Sequence, residues 1–131
     1  MLDSSRFVDA DGHVRDDDEN IRPYLDAPFN RRASLGISSN DSFDRHMGGI
    51  LGSFRADAEV WLDALERGGL SKAVLYPTVG LRNGHIRESE FAVARCRAYN
   101  TWLYEEYMRV DPRFKGVALL PVQDPKESAI E

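Results

Sequence analysis

Two uninterrupted apolar runs, Ala73-Val74-Leu75-Tyr76 and Val117-Ala118-Leu119-Leu120, constrain this chain more than any other feature. A strand with one face in water alternates apolar and polar residues. A continuous run suits a strand covered on both faces, as in a parallel sheet. The stretch between the runs has a different period. From about 87 to 110, Ala92, Cys96, Tyr99, Leu103 and Tyr107 fall on one helical stripe, with Phe91, Ala94, Ala98 and Trp102 beside it. Pro112 ends that helix. Upstream, Ala58, Trp61, Ala64 and Leu65 share a helical face over 56–67, closed by Gly68-Gly69. Phe7 to Val14 starts as a short strand and turns polar at its end. Asp124, Pro125 and Glu127 hold the N-cap, N1 and N3 places of a helix start.

The order is therefore strand, long loop, helix, strand, helix, strand, helix start. Such alternation implies βαβ units and a parallel sheet. We expect strands near 6–10, 72–77 and 114–120, parallel and in the order one, two, three. Helices near 56–67 and 88–110 should cover one face. The loop from 15 to 55 has no sustained period and is punctuated by Pro23, Pro28, Gly36, Gly48, Gly49 and Gly52. Short helical turns are expected near 22–25 and 43–47. The acidic run Asp16-Asp17-Asp18-Glu19 reads as a solvated loop.

Composition excludes several function classes. The 131 residues suit one domain, and 42% hydrophobic with 30% charged residues is ordinary for a soluble globular chain. A net charge of -5 argues against nucleic acid, whose phosphates need clustered Lys and Arg. No run approaches the length of a membrane span. The first 15 residues carry no apolar signal segment. Cys96 is the only cysteine, so no intrachain disulfide forms, and it reads as a small core residue. A cytoplasmic location is the expectation.

The chemistry-bearing feature is Asp11-Gly12-His13 at the end of the first strand. Residues two apart in a strand point to one face. A carboxylate oxygen and an imidazole nitrogen projecting together suit a divalent metal. Gly12 between them leaves room for close backbone approach or a change of strand direction. Asp9 would share the face but reads as a structural hydrogen-bonding residue. Thr78 and Gln123 follow the second and third strands, where pocket residues belong in a barrel. Arg31 and Arg32 carry guanidinium forks that match an acidic substrate, although a surface role also suits them. His46 and His85 sit in loop contexts and read as solvated. Tyr99 and Trp102 read as helix core.

Val8-Asp9-Ala10-Asp11-Gly12-His13-Val14 resembles the first strand of the amidohydrolase-related family. This branch of the amidohydrolase superfamily includes aminocarboxymuconate-semialdehyde and resorcylate decarboxylases. The likeness continues in Leu62-Asp63-Ala64-Leu65-Glu66-Arg67-Gly68-Gly69, in Ala73 to Thr78, in Ala98 to Leu103 and in Pro112 to Pro125. It is loosest between Arg15 and Arg55. The resemblance implies a TIM-type (β/α)8 barrel with one divalent metal, often zinc and sometimes manganese. It implies that Asp11 and His13 are the carboxylate variant of the family's first-strand ligand pair. The family's other ligands, a His and an Asp on later strands, have no counterpart here.

A full barrel has eight strands and about 250 residues. Residues 1–131 would then be an α/β partial barrel domain of about three parallel strands, truncated at its C-terminal end. The expected function is metal-dependent hydrolysis or non-oxidative decarboxylation of a small organic acid, of aromatic or muconate type. The expected partners are that small-molecule substrate and, in a full-length form, further copies of the chain, with neither nucleic acid nor membrane. One alternative is a catalytically inactive fragment, or one segment of a split barrel. Another is a small doubly wound binding domain, disfavoured because no Gly-rich phosphate loop follows the first strand.

Overall fold

The computed structural model describes residues 7–35 and 56–131. The first strand, β1, runs Val8–Val14. A one-turn helix, α1 (Asp18–Ile21), and two 3-10 turns, Arg22–Tyr24 and Phe29–Arg31, follow it. Helix α2 (Ala58–Gly68), strand β2 (Lys72–Pro77), a 3-10 turn at Gly80–His85 and helix α3 (Ser89–Leu103) come next. A π-helical turn (Tyr104–Met108), strand β3 (Phe114–Gly116) and helix α4 (Pro125–Ile130) complete the order. The three strands form one open sheet in the order β1-β2-β3, and both pairings are parallel. This is the alternation expected from the apolar runs. The turn expected at 22–25 is present, and the one at 43–47 lies outside the described residues.

Local chemistry explains the helix ends. The Asp57 carboxylate caps α2 by accepting from the Val60 amide, which satisfies one orphan N–H of the first turn. At the other end Gly69 adopts φ 62°. Its amide donates to the Glu66 carbonyl and the Leu70 amide to the Leu65 carbonyl, the two bonds of a Schellman motif. Asp124 caps α4 through the amides of Lys126 and Glu127, with Pro125 in the first turn.

One sheet face packs on the helices. Along β2, Ala73, Leu75 and Pro77 are buried while Lys72 is exposed and Val74 and Tyr76 are half-buried. Val14, Ala73, Leu75 and Phe114 form the core with Leu65 of α2 and Phe91, Tyr99, Trp102 and Leu103 of α3. Tyr99, Trp102, Tyr107 and Phe114 continue it as a chain of tilted and edge-on ring contacts, an arrangement favoured by ring quadrupoles. Cys96 is buried there, as expected, and accepts a 2.9 Å contact from Asn83 Nδ2.

Two boundaries and the acidic run differ from the sequence reading. β1 extends to Val14, because the polar end that looked like an exit still pairs, His13 with Tyr76 and Val14 with Pro77. β3 is shorter than 114–120. Val117 makes one more bond, to the Leu75 carbonyl, and the ladder stops there although β2 continues to Pro77. The Leu119 amide and carbonyl bond to the side chain of Asn100 on α3 instead, at 2.8 and 2.9 Å. The acidic run is not a solvated loop. Asp16 is 0% exposed, Asp17 caps α1, and Asp18 accepts from the Leu35 amide. The partners of Asp16, and the Leu35 amide that Asp18 accepts from, lie far along the chain, where charge patterning cannot reach. Among the described residues no helix is long and apolar enough to cross a membrane.

Burial pushes the Cys96 thiol from 9.0 up to about 11, against the opposing pull of Asn83. The folded state therefore holds this proton longer than the unfolded chain, so stability falls as pH rises from about 9 to about 11. Cys96 should resist thiol reagents until the chain unfolds. Urea melts across that range, with thiol labelling in parallel, check this; rapid native labelling at neutral pH would contradict it.

Candidate functional site

At the C-terminal ends of β1 and β2 the chain places four polar side chains together. The β1–β2 register slips between Asp9 and Gly12, so β1 carries one extra residue there. Such a bulge changes which side of the sheet the following residues occupy. Gly12 and Val14 turn to the helices, while His13 is in register with Tyr76 on the open face. Gly12 is closely approached: a Cβ there would lie 2.9 Å from the Trp61 ring and 3.1 Å from the Val74 carbonyl, so a larger residue would force Trp61 or β2 to shift. This is the close approach expected of that glycine.

His13 is the centre of the cluster. Its Nε2 lies 3.6 Å from Asp11 Oδ1, and its Nδ1 lies 3.5 Å from the Thr78 hydroxyl. Its ring stacks on Tyr76 with centroids 6.0 Å apart. The Asp11 side chain is 88% exposed and that of His13 36%. Asp9 does not join them. Its register partner is Ala73, a buried position, and its Oδ1 accepts from the Asp11 amide at 3.0 Å. The structural role expected of Asp9 stands; the shared face does not, because the bulge intervenes.

Beneath the cluster lies a buried pair that the sequence reading missed. Asp16 Oδ1 accepts from the amides of Thr78 and Val79 at 3.0 and 2.8 Å, and Oδ2 from Gly80 at 2.8 Å. Arg95 of α3, also 0% exposed, brings its guanidinium 3.6 Å from Asp16 Oδ2. Burial raises the Asp16 carboxyl above its ordinary range, while Arg95 and the amides pull the other way. Arg95 stands alone among Phe91, Ala92, Val93, Ala94 and Cys96. One charge inside an apolar helical stretch is the signal that could have revealed the pair.

The remaining candidates lie apart from His13. The Gln123 amide donates to the carbonyls of Asn83 and Ile86 at 2.7 and 2.8 Å, tying the segment after β3 to the 3-10 turn after β2. Arg31 is exposed and lines a groove with Asp18, Arg22 and Asn30. Arg32 Nη2 donates to both carboxylate oxygens of Glu88 at 2.7 Å, and the guanidinium lies over the rings of Phe29 and Phe91. His85 is exposed, and His46 lies outside the described residues.

Two donors sharing a tetrahedral zinc sit about 3.3 Å apart, given metal–ligand distances of about 2.0–2.1 Å. The 3.6 Å between Asp11 Oδ1 and His13 Nε2 is close to that spacing, and the oxygen–nitrogen pair suits zinc or manganese. The two atoms thus fit two places of one cation. Among the described residues, no group of three or more His, Cys, Asp or Glu side chains could hold a metal.

Replacing Asp16 with Ala should cost about 3–5 kcal/mol, the usual penalty for leaving a buried charge uncompensated. Denaturant titration of Asp16→Ala measures it; a loss under about 1 kcal/mol would mean that Arg95 finds water or another partner. Compared with known proteins, the chain matches no family model and no curated protein sequence.

Proposed function

We propose that this chain contributes part of the active site of a metal-dependent hydrolase or non-oxidative decarboxylase of the amidohydrolase-related type, acting on a small organic acid. The observation that carries the reading is the pairing of Asp11 Oδ1 and His13 Nε2, 3.6 Å apart on the open face at the C-terminal end of β1. In (β/α) barrels this end of the strands bears the chemistry. On this reading β1, β2 and β3 are the first three strands of such a barrel, and the open face is its interior.

Asp11 and His13 would hold one divalent cation, zinc or manganese. Held there, such an ion would supply Lewis-acid chemistry, either activating water or offering a positive centre to a substrate carboxylate. Asp11, nearly fully exposed, provides negative charge without obstructing access from the open face. Thr78 borders the same space and is placed to meet the substrate. Arg31 and Gln123 enter the reading only as outlying substrate contacts.

A second reading, a segment that acts only when joined to another chain, is favoured by one observation. By register, Val8, Lys72, Val74, Lys115 and Tyr76 share the uncovered sheet face with His13. A face of this kind and the outer edge of β3 offer apolar surface and backbone groups for association.

Expressed by itself, the 131-residue chain should turn over neither aromatic nor muconate-type acids, and light scattering should show association. In an assembly that turns over such an acid, His13→Ala should remove both bound metal and activity. Metal analysis with a turnover assay decides: His13→Ala with undiminished metal and rate would overturn the proposal.

A further inference from the structure

Thr78 is the first residue after β2, and its place is set by β1. Its amide is shared between the Val14 carbonyl at 3.1 Å and Asp16 Oδ1 at 3.0 Å. The next two amides bind the same carboxylate. The third needs glycine: a Cβ at Gly80 would lie 2.5 Å from Leu119 Cδ1 and 2.8 Å from Asp16 Oδ2. Arg95 closes the arrangement from α3, 3.6 Å from Asp16 Oδ2 and 3.4 Å from the Asp16 carbonyl. Residues three and sixty-five positions from His13 thus cooperate to bring a hydroxyl to one nitrogen of its ring. The other nitrogen faces Asp11.

We propose that Thr78 is a positioning residue for His13, held in place by the Asp16–Arg95 pair. The inference rests on the metal-binding reading above. The His13 Nδ1–H donates to the Thr78 hydroxyl, which leaves the Nε2 lone pair free toward Asp11 and a shared cation. Which nitrogen of a histidine binds metal is set by the hydrogen bond made by the other, and such partners orient the ring and raise its basicity. The 3.5 Å separation is at the long limit of a hydrogen bond. It shortens when Nε2 gives its lone pair to a cation, because Nδ1–H then becomes the stronger donor. The Asp11 carboxylate cannot take this role, since it lies on the Nε2 side.

The test uses the 131-residue chain labelled with 15N-histidine, titrated with Zn2+ and followed by long-range 1H–15N correlation. His13→Ala assigns His13 among the three histidines. Zinc should shift His13 Nε2 and leave Nδ1 protonated. Thr78→Val should weaken zinc binding at His13 by about 10-fold, and Thr78→Ser should restore it to within about twofold, as for a lost and regained partner of a ligating histidine. Both variants keep the amide that binds Asp16, so their thermal melting should match the parent chain and separate the hydroxyl's effect from folding. Parent-like zinc affinity in Thr78→Val, or coordination through Nδ1, overturns the positioning role and leaves the metal reading intact. Zinc that moves no His13 resonance in the parent chain overturns the metal reading and the positioning role together.

Discussion

The ends of β1 and β2 are joined through one buried carboxylate, and the position of Thr78 at that end of the sheet follows from it. Asp16 receives three consecutive backbone amides from the turn after β2 and faces a buried guanidinium on α3. The ion pair alone does not explain its stability. Two charges about 4 Å apart attract by about 4 kcal/mol at an effective permittivity of about 20, and desolvation costs several kcal/mol for each ion. Desolvation of the two ions together exceeds their attraction. The amide bonds tip the balance, because hydrogen bonds to a charged acceptor contribute about 1.5–3 kcal/mol each. They also supply donors to both carboxylate oxygens, which a salt bridge by itself would leave partly unsatisfied.

That clamp and the bulge in β1 act on the same few residues from opposite sides. The bulge decides which face His13 occupies, by inserting one residue between the Asp9–Ala73 and Gly12–Leu75 pairs. The clamp decides what meets His13 there, by placing Thr78 against its ring. Gly12 links the two, because only its lack of a side chain lets β1 lie this close to Trp61 and β2. The core is built to keep these parts fixed. Leu75 and Ala73 of β2 are fully buried against α2 and α3, so the strand that carries Tyr76 and leads to Thr78 has little freedom to shift. Close-packed interiors transmit such constraint without loss.

Much of the fold was legible along the chain. The continuous run at Ala73–Tyr76 marked a parallel strand, whereas the run Val117–Leu120 lies just past the strand it was expected to form, since β3 covers only Phe114–Gly116. The stripe from Ala92 to Tyr107 marked the long helix, which the structure divides into α3 and a π-helical turn. Caps and stops at Asp57, Gly69 and Asp124 are local chemistry and could be read or confirmed residue by residue. Of the site, the nearness of Asp11 and His13 followed from strand period alone. Asp9 did not follow, because a bulge alters that period and leaves no mark in the composition of the strand.

Sequence by itself determined the kinds of element, their order and the donor pair on β1, because each depends on residues within a turn or two of one another. Tertiary structure decided the rest. Asp16 looked like part of a solvated acidic run until Arg95, seventy-nine residues later, and the Thr78–Gly80 amides surrounded it. Nothing around Gln123 in the sequence showed that the carbonyls of Asn83 and Ile86, forty and thirty-seven residues away, would take its amide. β3 stopped early, and the Leu119 amide and carbonyl bond to the Asn100 side chain on α3 instead of to β2. In each case a polar group's fate depends on which distant donor or acceptor the fold brings within about 3 Å, and local periodicity carries no information about that distance.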